Sequence, residues 1–200
     1  MKELILNFFS NLLAVILGIV ITFAVQGMIN RGQDRREVRS ALELVRSELA
    51  TNLEDIGMLD DFLDETQVSA RYLVAHEKDI DKCPEDSVLY HTGIVYSDVS
   101  VALSHDALEL LKMSTLFPKI GDNNLSMKII RAYDTCDLLV SNFTRYLSFR
   151  DNQGSNKAQQ LTDRILLKAR WFIDQPIPEE YMDTADIQDA IDAIDTFLRK

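Results

Sequence analysis

Hydrophobic positions change period once along this chain, and that change divides it. Leu4 to Ile29 form a run of 26 residues without one charge, closed by Arg31, Arg35, Arg36 and Arg39. At about 1.5 Å per residue such a run outreaches the roughly 30 Å hydrocarbon core of a bilayer, so it predicts one transmembrane helix over 1–30. A cleaved signal peptide is the rival reading. It fits poorly, because Glu3 offsets Lys2, no A-x-A site follows, and the arginines come at once. The basic segment 31–39 then places the remainder on the cytoplasmic side of the inner membrane and pairs its arginines with anionic headgroups.

Beyond it the pattern becomes amphipathic. Val38, Leu42, Val45, Leu49, Leu53, Ile56, Leu59 and Leu63 recur every three or four residues, and no proline interrupts before Pro84. That spacing predicts that the first helix runs on into a long cytoplasmic helix, with a continuation over Glu65–His76 and a bend near Gly57. Its outward Glu43, Arg46, Glu48 and Glu54 read as a solvated face. Lys78 to Thr92 reads as a connection. A helix over Val101–Met113 follows, capped by Asp98 or Ser100, and then one over Leu125–Phe149. Asp151 to Ser155 break the pattern before a helix built on Leu161, Ile165, Ala169 and Phe172, which Pro176 and Pro178 end. The last helix, capped by Asp183 or Thr184, buries Ile187, Ala190, Ile191, Ile194 and Phe197. The fold class is therefore all-α, with one transmembrane helix continuing into a bundle of about five helices over 40–200. Tyr133, Phe143, Tyr146, Trp171 and Phe172 belong to its core.

The apolar run is itself patterned. Asn7, Asn11, Gly18, Thr22 and Gln26 fall within about 100° of arc on one helix face. Polar groups in hydrocarbon face another helix or water, and the chain holds a single span, so the partner is another chain. The face suits a helix dimer held across Gly18, or a ring of five or more copies around an aqueous pore. A monomeric anchor with its polar residues in the interface stays open. Below the membrane, Val38, Leu42, Val45 and Leu49 can continue the subunit contact as a heptad seam does.

Charge narrows the function classes. Of 21 basic and 32 acidic residues, 1–39 hold five and three, which leaves the rest about 13 charges negative. An acidic body lacks the clustered Lys and Arg that track a phosphate backbone, so direct nucleic-acid binding is not expected. Cys83 and Cys136 have no metal-binding spacing, and no metal or cofactor is expected.

One short segment carries candidate chemistry, the RYLVAH of Arg71 to His76. It resembles the R-x4-H of the HEPN ribonucleases, which implies a dimer pairing two motifs, with His76 as general acid or base and Arg71 steadying a phosphate. Tyr72 stands where that family usually has a polar residue. Positions five apart on a regular helix diverge by about 140°, so the pair needs a helix boundary between them. The alternative is that Arg71 pairs with Asp64 or another acid while His76 ends a helix. His105 beside Asp106 reads as a first-turn feature. With one amino-terminal span, a basic juxtamembrane segment and a helical domain bearing this motif, the chain resembles the membrane accessory proteins of type VI-B CRISPR systems. The segments ALELLKMSTLFPKIGDNNL and IIRAYDTC resemble a broader group of single-span bacterial membrane proteins. The first resemblance implies a non-enzymatic pore in antiphage defence, acting with an RNA-guided effector nuclease. A membrane-tethered ribonuclease and a non-catalytic adaptor are the competing expectations.

Overall fold

A computed structural model describes residues 2–97, 99, 101–152 and 161–200. The side chains of 2–16, 18–31, 152, 161 and 162 lie outside the described residues. Among the described residues the chain is all-α, with no strand.

Helix α1 runs unbroken from Lys2 to Ala75. Nothing in its sequence stops it: there is no proline, and a glycine such as Gly32 or Gly57 costs a helix interior only about 1 kcal/mol relative to alanine. The bend expected near Gly57 does not interrupt the helix. A 3-10 turn over Glu77–Lys82 then leads to α2, Glu85–Tyr96. Next come α3 at Asp106–Met113, a 3-10 turn at Phe117–Ile120, and α4 at Asn123–Asn152. After α5 at Leu161–Asp174 and a 3-10 turn at Glu179–Met182, α6 closes the chain at Ala185–Leu198.

Among the described residues six α-helices stand, against the expected transmembrane helix continuing into a bundle of about five. The addition is α2, in a stretch read as a connection. It buries only Val95, so its sequence carries no apolar stripe, and it opens behind Pro84, which occupies the N-cap with an extended ψ of 129°. The helix expected from Val101 begins five residues later, at Asp106. Asp98 and Ser100, the expected caps, lie outside the described residues. At the far end, α4 absorbs Asp151, whose carboxylate is held by ion pairs described below.

Two clusters share α1 as a common wall. The first joins Val38, Leu42, Val45, Leu49 and Ile56 to α3, the front half of α4 and α6. The second joins Leu59, Leu63, Ala70 and Leu73 to α2, the end of α4 and α5. Val38, Leu42, Val45 and Leu49 are 0–3% exposed, covered by the chain's own helices. They are core residues, which corrects their expected role as a contact between subunits: burial of that apolar stripe inside the bundle leaves it no free surface for a second copy.

Directions along α1 follow from the contacts. Ala107 meets Glu48, and Leu110 shares a groove with Leu44, so α3 runs back toward residue 40 of α1. Arg46 meets Asp195 and Arg39 meets Leu198, so α6 also runs back, with its end beside Arg39. Lys119 meets Asp34 at 2.8 Å. One end of the domain is thus built against the first turns after the apolar run. Among the described residues no helix is long and apolar enough to cross a membrane; the span expected over Leu4–Ile29 rests on side chains outside the described residues.

Candidate functional site

The most elaborate polar constellation in the domain centres on Glu48, in a groove between α1 and α3 of about 450 Å³, lined by Leu44, Thr51, Asn52, Ser104, Ala107 and Leu110 among others. Glu48 lies one turn from Leu44 and Asn52 on the same helix. Its carboxylate accepts the backbone N–H of Ala107 at 3.0 and 3.1 Å, the Ser104 hydroxyl at 2.5 Å and the Tyr133 hydroxyl at 2.5 Å. An acid at the start of α3 also meets the positive end of that helix. One turn on, the Asn52 amide donates to the Ser104 carbonyl at 2.8 Å and accepts its N–H at 2.9 Å, as a neighbouring strand would.

Burial alone raises the Glu48 pKa, but the bonds from Ser104, Tyr133 and Ala107 outweigh it and hold the carboxyl below its ordinary value. The same burial and the adjacent carboxylate push Tyr133 far up, so its hydroxyl remains a donor. An ionised carboxylate met by this many donors is a clamp and not a base: its acceptor positions are occupied and its proton affinity is low. It fastens the segment before α3 to α1. Sequence reading placed Glu48 on a solvated face with no role. The signal that existed was local, a carboxylate one turn before Asn52, and its partners lie more than fifty residues away.

The motif Arg71 to His76 has a different geometry from the one it needs. Arg71 is exposed on α1 and donates to Gln67 Oε1 at 3.2 Å. It does not reach Asp64. His76 is the first residue past the helix, as one reading expected, and its Nδ1 lies 2.9 Å from the Tyr72 carbonyl. Its ring packs on Tyr72 with centroids 4.4 Å apart, and Tyr72 in turn stacks on His91 at 4.0 Å. Thus His76 is gathered with His91 of α2, and Arg71 is left outside. His91, bonded to Ser69 Oγ at 3.0 Å, is held below the ordinary histidine pKa by burial and then by the neighbouring His76. Within the described residues no cation joins these rings to hold a phosphate.

A third cluster closes the second core. Arg150, 1% exposed, donates through Nε to Asp151 at 2.8 Å and through Nη1 to the Ser97 carbonyl at 2.9 Å. Lys168 donates to the same Asp151 oxygen at 3.0 Å and lies 4.4 Å over the Tyr96 ring. Burial disfavours the Asp151 charge, yet the two cations win and lower its pKa. These groups join the end of α4 to α5 and α2.

Of the remaining expected residues, Asn7, Asn11, Gly18, Thr22, Gln26 and Arg31 lie outside the described side chains. Arg35 and Arg36 are exposed; Arg39 bonds the Leu198 carbonyl and approaches Glu43 at 3.6 Å. His105 occupies the N-cap position of α3, with Nε2 3.1 Å from Asp137. Cys136 is buried, with its thiol pushed up to about 11, and Cys83 is half-buried. Among the described residues no group of three or more His, Cys, Asp or Glu is placed to hold a metal ion. No family model, no curated protein and no solved structure matches this chain.

Proposed function

We infer that this chain is a single-span membrane protein that acts as a homo-oligomer, without catalysis of its own, its apolar helices associating along the Asn7, Asn11, Gly18, Thr22 and Gln26 face around an aqueous path. The observation that supports this reading is the continuity of α1. The helix that would cross the bilayer is the same helix that forms the wall of both cores, with no linker between. A passive tether works as well through a flexible linker, whereas a continuous helix carries rotation or displacement of the domain directly into the span. The different partners of Arg71, which bonds Gln67, and His76, which packs with Tyr72 and His91, speak against the ribonuclease reading. In the setting that the resemblance to type VI-B CRISPR accessory proteins implies, ion flux would follow activation of the RNA-guided effector.

The test is ion flux from vesicles carrying the full-length protein. Asn11→Leu and Gln26→Leu lower the flux while the domain stays folded. Unchanged flux in both removes the lining assignment. A membrane-tethered adaptor is the second reading, and one observation favours it: Val38, Leu42, Val45 and Leu49 are spent inside the domain and leave no seam for a ring. Exchanging 1–30 for an unrelated span preserves cellular activity under the adaptor reading and abolishes it under the pore reading.

A further inference from the structure

Lys119 is eighty residues past the end of the arginine segment in sequence, and Arg199 and Lys200 are further still, yet the fold brings all of them to one end of the domain. The 3-10 turn at Phe117–Ile120 is fixed to α1 by the Lys119–Asp34 pair at 2.8 Å, and the end of α6 is fixed by Arg39, which donates to the Leu198 carbonyl. Arg35, Arg36, Lys119, Arg199 and Lys200 are all exposed there. At about 1.5 Å per residue, Asp34 lies roughly 8 Å along α1 past Ile29, the last residue of the apolar run. That depth matches the headgroup layer, about 5 to 8 Å thick on each side of a bilayer. Charge has the opposite sign further down α1, where Glu54, Asp55, Asp60, Asp61, Asp64 and Glu65 are not offset by any base before Arg71.

We propose that this basic end is a docking surface for anionic lipid, which seats the folded domain directly on the leaflet. The juxtamembrane arginines alone would make only a collar around a helix. Lys119 is paired with Asp34 and has Glu37 nearby, so the net added charge comes from Arg199 and Lys200 at the end of α6, and the surface exists only when the domain is folded. Anionic headgroups attract this end and repel the acidic stretch of α1, which gives the domain one orientation. Met113, 81% exposed at the end of α3, adds an apolar side chain near the same end.

The proposal rests on the reading of 1–30 as a span for its depth, and the two are separable. Full-length protein is reconstituted into phosphatidylcholine vesicles with and without phosphatidylglycerol. Acetylation rates of Lys119 are then compared with those of Lys78, which lies past the far end of α1, about 60 Å away. Retention through alkaline extraction tests the span. Docking predicts that phosphatidylglycerol slows acetylation of Lys119 about fivefold and leaves Lys78 unchanged, and that high salt or the double substitution Arg199→Glu, Lys200→Glu removes the protection. Retained protein whose Lys119 reacts equally in both vesicles overturns docking and leaves the span. Protein that alkali extracts, but whose Lys119 is protected on anionic vesicles, overturns the span and supports docking. Failure to float with either vesicle overturns both.

Discussion

The two halves of the domain lie along one helix but are held by different chemistry. The half nearer residue 34 is packed with aliphatic side chains, among them Leu42, Leu49, Leu111, Ile129, Ile187 and Ile194, each fully buried. The polar group it buries outright, Asn52, is neutral, and its charged groups are only partly covered, as in the Glu48 clamp and the Arg46–Asp195 pair at 2.5 Å. The far half buries Phe143, Tyr146 and Phe172 together with Arg150, Lys168, Thr66 and Ser69. Trp171 packs on Tyr146 and Phe172 at 4.6 and 5.4 Å, and burial pushes the Tyr146 hydroxyl up to about 12. Aliphatic burial has no direction and tolerates small shifts, whereas a buried cation requires its partners in place. The far half is therefore the one that a change of charge or pH opens first.

The largest effect should come from Phe172→Ala, about 4 kcal/mol of lost stability, because a wholly buried ring is removed from a core without spare side chains. Leu42→Ala should cost about 3 kcal/mol in the other half. Urea unfolding followed by circular dichroism gives both values. Amide exchange locates them: α2 and α5 lose protection in the first variant, α3 and α6 in the second. The double variant sharpens the comparison. Costs that add to within about 0.5 kcal/mol mean two independent halves, and a larger coupling means that α1 transmits between them.

Acid should separate the halves next. His91 is held below its ordinary pKa when folded, so the unfolded chain binds that proton more readily, and stability drains from about pH 6.5 downward. Glu48 is likewise depressed, but its contribution is full above about pH 5 and is lost only as pH falls through its lower folded value. Protection of α2 relative to the unfolded chain at the same pH should therefore fall between about pH 6.5 and 5 while that of α3 is kept. Glu48→Gln should cost about 1 to 2 kcal/mol at neutral pH and flatten the acid limb for α3.

Smaller still is Thr115, just after α3, whose φ of 58° is left-handed. Thr115→Gly should stabilise by about 1 kcal/mol, read as a rise in melting temperature. Arg71→Ala should change stability by less than about 0.5 kcal/mol, since its visible partner is the exposed bond to Gln67.

The same division governs how legible the fold was. Val38 to Leu63, Ile187 to Ile194 and the stripe of α4 bury one face each, so period alone located those helices. Helix α2 buries one residue, and no periodic reading finds a helix whose packing is made by half-buried rings such as His91 and Tyr96. The candidate sites were hidden for a related reason. Glu48 meets Ser104, Ala107 and Tyr133, and Arg150 meets Ser97, across separations that only the folded chain closes. The motif that spacing did offer, Arg71 to His76, is divided because His76 still bonds and packs on Tyr72 one turn back, as a helical residue does, which leaves it about 140° around from Arg71 and beside His91.

The central claim is that copies of this chain assemble through the apolar helix that α1 extends into the domain. The mass of the full-length protein in mild detergent tests it most directly. With helix axes roughly 8 to 10 Å apart, an aqueous path needs about five or more spans, so the account predicts one discrete assembly of that size or larger. A monomer or dimer would contradict it.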